Sequence, residues 1–208
     1  MSYLATLEEK ADPRHTALLV LDMQRGYWPP RGEGPETGSE ILPRLIPFVE
    51  AAHEAGVGVI YVRNSFSHWV NLPAWEERWL TSRTHGSEGY CIEGTPGVDV
   101  MEGLTPRQGD LVLNKHFWNV FAWAPIDLAL RSRQMKTVIL TGGGVLGAVE
   151  SAAKDAVIRG YYCLLTTDCV WPESGPVFDV GVQQLNNRVA QAVTSRQLAD
   201  VWRRTALV

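Results

Sequence analysis

The sequence predicts one α/β domain over residues 1–208, built as three α/β/α layers around a mostly parallel central sheet of about six strands in a Rossmann-like topology. Short apolar runs rich in β-branched residues alternate along the chain with segments whose apolar residues recur at helical spacing. The length is that of a single domain, and the chain contains no internal repeat and no low-complexity stretch. Such an alternation predicts a parallel sheet with helices on both faces.

Each predicted strand is a short run that is apolar almost throughout, as expected for a strand buried on both faces. The predicted strands cover residues 16–22, 57–63, 110–114, 136–141, 161–168 and 190–194. The predicted helices cover residues 40–55, 124–134, 145–159, a stretch after 168 and a last segment from Ser195. Gly56 and Gly160 each follow a predicted helix end, where glycine accepts the left-handed backbone.

Residues 64–107 interrupt the alternation with tryptophan, proline, glycine and charged residues. Structureless excursions of this length in compact domains are often functional. Trp69, Trp75 and Trp79 lie in it, and we expect the segment either to cover a site or to pack on a neighbouring subunit.

The overall composition excludes several classes of protein. The formal charge of −4 (19 basic minus 23 acidic residues) is spread along the chain, so no nucleic-acid partner is expected. No apolar run approaches the roughly 20 residues of a membrane span, and the acidic N-terminus lacks the layout of a signal peptide. Three cysteines form no CxxC pair, which favours a reduced, cytoplasmic setting.

Ligands on parallel sheets bind beyond the carboxyl ends of the strands. Four places satisfy this rule, namely Asp22, Lys115, the turn 142–148 and Asp168. A carboxylate, an ammonium group and the backbone N–H groups of a tight turn suit acyl-type hydrolysis, in which a base activates a nucleophile and the donors stabilise an oxyanion. A purely structural Asp–Lys ion pair at the strand ends explains the first two residues equally well.

The residues alone give weaker support to two other chemistries, dinucleotide binding and metal binding. The first is suggested because residues 142–147 match GxGxxG and Asp168 follows 21 residues after Gly147, as a ribose-binding acid would. A dinucleotide fold, however, normally opens with this unit and needs more strands after it. The histidines lack HxH, HxxxH and HExxH spacing, so no metal is expected, and no GxSxG elbow is present.

Three blocks, LLVLDMQRGYW (18–28), LNKHFWNVF (113–121) and ILTGGGVLGAVESAAKDAVIRGY (139–161), resemble the signature blocks of the isochorismatase-like cysteine hydrolases. The resemblance extends over essentially the whole chain. It implies an Asp–Lys–Cys triad in which Asp22 is the general base or acid and Lys115 orients and tunes it. The nucleophile position falls on Ala148, where the family usually has cysteine.

The resemblance carries over further features of the site. The oxyanion donors would be the backbone N–H groups of Gly144 and Ala148, and a cis peptide would join Gly143 to Gly144. Trp28, Trp118 and Phe121 flank the acid and the lysine in sequence, so we expect them to form pocket walls, although aromatic residues also dominate cores. The nicotinamidase metal motif, an Asp and a His shortly after the second strand, is missing from residues 64–69 (NSFSHW), so no zinc and no cofactor are implied.

Ala148 leaves three functions open. The downstream stretch 149–161 is most similar to the amide and ureide hydrolases, which favours an amidohydrolase for a small amide, ureide or carbamoyl compound, disabled by a Cys→Ala change that is engineered or natural. Family isochorismatases cleave a vinyl ether by protonation from the aspartate and need no cysteine. A silent binding member is the third possibility. The resemblance also implies a homodimer or homotetramer.

Overall fold

The computed structural model describes residues 3–27, 40–75, 77, 91–171 and 176–205. Six strands form one all-parallel sheet in the order β3-β2-β1-β4-β5-β6. The strands are β1 Thr16–Leu21, β2 Gly58–Asn64, β3 Leu111–Lys115, β4 Thr137–Gly144, β5 Tyr162–Trp171 and β6 Gln191–Val193. The predicted fold class is therefore confirmed, and each predicted strand has a counterpart.

Helices connect the strands and cover both faces of the sheet. The α-helices are α1 Leu7–Lys10, α2 Leu42–Glu54, α3 Pro73–Trp75, α4 Val120–Trp123, α5 Ile126–Ser132, α6 Glu150–Ile158, α7 Val177–Arg188 and α8 Ser195–Thr205. A π-helical segment, Val145–Val149, precedes α6, and 3₁₀ turns cover Pro13–His15, Arg25–Tyr27 and Pro96–Val98. Among the described residues, no helix is long and apolar enough to cross a membrane.

Two hydrophobic clusters, one on each face of the sheet, form the core. Helices α4 to α7 cover one face, where buried residues such as Ile126 and Leu185 pack on the strands. Helices α2 and α8 cover the other face, and there Phe48 stacks on Trp202 with 5.4 Å between ring centroids. This arrangement is the expected three-layer sandwich.

The carboxyl ends of β4 and β5 differ from the prediction. Strand β4 continues through the predicted turn to Gly144, which pairs with Trp171 on β5. Between the pairs Leu140–Leu165 and Gly142–Val170, β5 contains three more residues than β4 (170 − 165 = 5 against 142 − 140 = 2). A bulge of this kind bends a strand and re-aims its side chains. It is held by a hydrogen bond from Thr141 Oγ1 to the Cys169 carbonyl, at 2.6 Å.

The centre of the sheet is the point at which its strand order reverses. Strands β1 and β4 are direct neighbours there, and their following connections leave toward opposite sides of the sheet. A crevice forms beyond the carboxyl ends of two strands at such a switch point, and ligands of open α/β sheets bind in it. Asp22 follows β1 at this point, and the segment Val145–Val149 follows β4.

Gly142 allows the two central strands to approach each other at the crevice. Its φ is +89°, and an added Cβ would lie 2.3 Å from the Leu21 carbonyl oxygen. Gly160 has a similar φ of +90° but has open space around its missing Cβ.

These two glycines provide a matched pair of substitutions. We expect Gly142→Ala to lower the free energy of unfolding by about 2–5 kcal/mol, because left-handed strain adds to overpacking against backbone. We expect Gly160→Ala to lower the free energy of unfolding by only about 1–2 kcal/mol, the cost of the left-handed backbone strain alone. Urea unfolding of the two variants measures the difference, and equal losses would contradict the close approach at Gly142.

Candidate active site

Asp22 and Lys115 form a buried ion pair at the carboxyl ends of their strands. Lys115 Nζ lies 2.8 Å from Asp22 Oδ1 and donates a hydrogen bond to Oδ2 at 3.0 Å. The closer Oδ1 contact lacks hydrogen-bond geometry, so Oδ1 retains an unused acceptor position. Lys115 is fully buried and Asp22 is 8% exposed. The sequence-based prediction that these two residues meet is thus matched by the structure.

The lysine reaches the acid from an edge strand. Its register partner on β2 is Asn64, and β2 in turn lies beside β1. Neighbouring strands are about 4.8 Å apart, so the extended lysine side chain has to cross the end of β2 to reach Asp22. A shorter cationic side chain at position 115 would not span this distance.

Asp22 is held by its backbone in an unusual conformation. Its φ is +55°, a region that non-glycine residues seldom occupy and that is common at functional sites. Its N–H donates to the Val62 carbonyl at 2.9 Å, and its carbonyl accepts from the Gln24 N–H at 2.9 Å. These contacts fix the direction of the carboxylate relative to the sheet.

Gln24 is a positioning residue that sequence reasoning missed. Its side chain is fully buried, and Nε2 donates to the carbonyls of Asn64 at 2.8 Å and Val98 at 3.0 Å. Its Oε1 accepts from the Asn64 N–H at 2.6 Å. A buried amide with this many bonds joins the ends of β1 and β2 to the turn that contains Val98. The only signal in the sequence is a polar side chain two residues after the catalytic-type aspartate.

Burial moves the pKa values of the pair toward each other. Loss of solvent raises the pKa of the Asp22 carboxyl, and the charge of Lys115 opposes that shift. Loss of solvent lowers the pKa of the Lys115 ammonium, and Asp22 opposes this shift in turn. A carboxyl group with a raised pKa can hold a proton and release it again, as a residue that alternates between general base and general acid must.

Position 148 faces the acid across a glycine. Ala148 is 3% exposed and lies in the π-helical segment before α6. A Cβ added to Gly143 would be 3.4 Å from Asp22 Oδ2 and 3.5 Å from the Ala148 methyl carbon. Gly143 therefore leaves a gap between the carboxylate and the methyl group. The structure places Asp22, Lys115 and Ala148 close together at the carboxyl edge of the sheet.

The predicted cis peptide is wrong. All peptide bonds in the described ranges are trans, including the bond between Gly143 and Gly144. The trans form avoids the cost of about 3 kcal/mol for a non-proline cis bond. The change of chain direction is instead provided by Gly142, with φ +89°, and by Gly144, which ends β4 in an extended conformation with ψ 140°. The role of the Gly144 and Ala148 N–H groups as oxyanion donors stays a prediction.

The three predicted wall residues have different outcomes. Trp118 is 50% exposed, and its Cδ1 lies 3.7 Å from the place a Gly147 Cβ would occupy, so it borders the turn beside position 148. Phe121 instead belongs to the core, 7% exposed and 6.2 Å from the ring of Tyr161, because α4 turns it inward onto the sheet. Trp28 lies outside the described residues.

The tryptophans of the excursion are only partly described. Trp69 is 84% exposed. Trp79 and the side chain of Trp75 lie outside the description. The predicted choice between a cover for the site and a subunit contact therefore stays open.

Asp168 binds the start of helix α8. Its carboxylate accepts from the Ser195 N–H at 2.8 Å and from the Ser195 hydroxyl at 2.7 Å, which satisfies donors at the start of α8. The bulge in β5 turns this side chain toward α8. The interpretation of Asp168 as a ribose-binding acid therefore has no structural support.

The three cysteines are buried thiols. Burial raises the pKa of Cys163 and of Cys169 to about 12. Cys91 is fully buried and close enough to the ion pair to interact with both charges. Its pKa is raised by burial first and by Asp22 second, and Lys115 opposes this only in part. A thiol that stays protonated is a poor nucleophile, so burial makes Cys91 unsuited to nucleophilic attack.

Among the described residues, no three His, Cys, Asp or Glu side chains lie close enough together to hold a metal ion. His116, next to Lys115, uses Nδ1 in a contact with the Ser65 carbonyl at 2.6 Å.

Fold and site together define a doubly wound α/β protein with a buried acid–lysine pair and a tight turn at the switch point. The Isochorismatase domain family matches residues 16–197, and the chain belongs to this family.

Individual relatives agree with this assignment. The ureidoacrylate amidohydrolase RutB of Methylorubrum extorquens is 27% identical over 186 residues, which cover 82% of this chain and 75% of that protein. A cysteine hydrolase from Pseudomonas syringae pv. phaseolicola has the same fold, with a TM-score of 0.82, 22% identity and coverage of 92% and 94% of the two chains. The N-carbamoylsarcosine amidase of Thermoplasma acidophilum also shares it, with a TM-score of 0.71, 23% identity and coverage of 87% and 96%.

Proposed function

We propose that the crevice binds a small amide, ureide or carbamoyl compound and is the site of a hydrolase for C–N bonds, with Ala148 at the nucleophile position. One observation carries the proposal: the buried Asp22–Lys115 pair faces position 148 across Gly143. An acid–base residue, a fixed cation and a nucleophile position at the start of a helix are the parts that cysteine-based amide hydrolysis requires.

The comparisons support the same class of reaction. Relatives named as an amidohydrolase and an amidase are similar to this chain over most of its length. Their names connect this fold to the cleavage of ureido and carbamoyl compounds. Trp118, half-exposed beside Gly147, adds an aromatic wall at the mouth of the crevice, which suits a small organic substrate.

The mechanism follows from the positions of the groups when a cysteine occupies position 148. Asp22 takes the thiol proton, and the sulfur forms a bond to the substrate carbonyl carbon. Backbone N–H groups of the turn stabilise the oxyanion, and Lys115 keeps the carboxylate oriented. The C–N bond then breaks as Asp22 gives its proton to the leaving nitrogen. Water, deprotonated by Asp22, hydrolyses the thioester and releases the acid and the free thiol.

Alanine at position 148 removes the first two steps of this sequence, the transfer of the thiol proton to Asp22 and the attack by sulfur. A methyl group has no electron pair to donate, while the pocket, the acid and the cation are unchanged. The chain as it stands is therefore expected to bind the substrate without forming an acyl-enzyme.

The test is ammonia release from small amides, ureides and carbamoyl compounds by Ala148→Cys and by the unchanged chain. We expect turnover only in the cysteine variant. Ala153→Cys is the matched control, because it places a thiol at another fully buried alanine, within α6, and is expected to be inactive. Silence of Ala148→Cys toward every compound would overturn the proposal.

A second candidate is supported by the raised pKa of Asp22. A carboxyl that holds its proton can protonate a vinyl ether, and this isochorismatase-type reaction needs no thiol. It would appear as vinyl ether cleavage by the unchanged chain that Asp22→Asn abolishes. Binding without turnover in both forms would instead identify a silent, ligand-binding member. A cytoplasmic setting and a homodimer or homotetramer stay predictions from the sequence.

A further inference from the structure

A second cleft opens at the opposite edge of the sheet from the candidate active site. It lies at the amino ends of β5 and β6, beside the ends of α6 and α7, and encloses about 550 Å³. This volume falls in the range of small-molecule sites and exceeds that of a simple inorganic ion. Asp22 and position 148 lie at the carboxyl ends of the strands, so the two sites do not share residues.

The lining of this cleft is basic. It contains Lys10 and Arg188, and no aspartate or glutamate is among the described residues that line it. Arg188 makes no hydrogen bond or ion pair with any described residue, although the chain as a whole has a net charge of −4. An unpaired guanidinium group in the same cleft as a second cation attracts an anion.

Lys10 is already oriented toward the cleft. Its Nζ donates to Gln191 Oε1 at 2.9 Å and lies 6.0 Å from the centre of the Tyr162 ring. Both partners are neutral, so the positive charge is positioned but not neutralised. Because the side chain is already positioned, Lys10 loses less conformational entropy when a ligand binds.

The carbonyl ends of α6 and α7 lie near the same cleft. Arg188 is the last residue of α7, so attraction to these partly negative helix ends is a competing explanation for its position. Each helix end carries about half a negative charge, so two of them offset about one of the two side-chain cations. Lys10 is the last residue of α1, and its Nζ donates to Gln191 Oε1, so the ends of α6 and α7 do not account for its position.

The remaining lining combines neutral polar side chains, among them Asn186, Asn187 and Gln191, with aromatic and aliphatic ones. It includes Tyr3, whose side chain is 77% exposed, together with Tyr161, Tyr162 and Val157. Flat rings and cations at one cleft are suited to a ligand that has an unsaturated body and a negative group. We propose that this cleft is a binding site for a small planar organic carboxylate, separate from the hydrolase site.

The experiment is a titration of the full ¹⁵N-labelled chain with benzoate, followed by the amide signals of Gly160 and Ala190 in the cleft and of Gly144 in the crevice. We expect saturable shifts at Gly160 and Ala190. Benzyl alcohol, which has a similar shape and no charge, should give none. Inorganic phosphate should bind more weakly than benzoate.

Variants separate the contributions of the two cations. Lys10→Gln and Arg188→Gln should each weaken benzoate binding by about threefold, and the double variant by about tenfold. Arg133→Gln is the matched control, because Arg133 is also exposed and without a partner among the described residues but lies in a different part of the chain. Unchanged binding in the double variant, equal binding of benzyl alcohol, or shifts confined to Gly144 would overturn the proposal. None of these readouts depends on hydrolysis.

Discussion

In the Ala148→Cys background, Asp22→Asn is expected to lower kcat by about 10²–10⁴-fold, the usual contribution of a general acid–base residue. Asparagine keeps the shape of the side chain but can neither take the thiol proton nor return it to the leaving nitrogen. The buried position strengthens this expectation. Almost no solvent reaches the carboxylate, so bulk water is not available to transfer the proton in its place. Steady-state ammonia release by the single and double variants measures the effect.

Asp168→Asn in the same background is the matched control. It changes an aspartate on another strand of the same sheet, but one whose carboxylate binds Ser195 at the start of α8. We expect kcat to stay within about threefold of the parent, since losing a helix cap of about 1 kcal/mol affects stability and not the reacting atoms. Full activity of the Asp22→Asn double variant would show that another group transfers the proton.

Lys115→Met is expected to lower the free energy of unfolding by about 3–5 kcal/mol, because it leaves the Asp22 carboxylate buried without its partner. The further change Asp22→Asn should recover much of that loss, since a buried pair replaced by uncharged side chains of similar volume is often neutral in stability. Urea unfolding of the two single variants and the double variant completes the cycle.

Substitution of a surface lysine by methionine is the matched control outside the site. Lys154, 59% exposed and paired with Glu150 one helical turn away, should tolerate substitution by methionine with a loss of no more than about 0.5 kcal/mol. A loss at Lys115 as small as the one at Lys154 would contradict the burial of the ion pair. A double variant as unstable as Lys115→Met alone would show that the lysine acts through packing and not through its charge.

The sequence predicted the parts of the site that depend on strand order. Asp22 and Lys115 were identified because each follows an apolar strand, and parallel strands bring their carboxyl ends to one edge. Asp168 satisfied the same rule, but its carboxylate binds Ser195 at the start of α8, beyond a bulge that adds three residues to β5. Such a bulge depends on pairing between strands and leaves no periodic signal.

Side-chain direction was harder to predict than position. Trp118 and Phe121 are three residues apart in one block, yet one borders the crevice and the other packs into the core. The separation depends on α4, a helix of four residues that is too short to show a pattern. Gln24 was missed for a related reason, because its partners lie 40 and 74 residues away.

The pairing of β1 with β4 has a consequence for folding. Residues 16 and 137 are direct register partners, so this central contact closes a loop of 121 residues (137 − 16). Such a closure is slow, because the entropy cost of bringing two segments together rises with the number of residues between them. Asp22 and position 148 lie on opposite sides of this contact. A partly folded chain that holds only one half of the sheet therefore leaves the acid and its lysine in water, and the cost of desolvating them arises only when the two halves join.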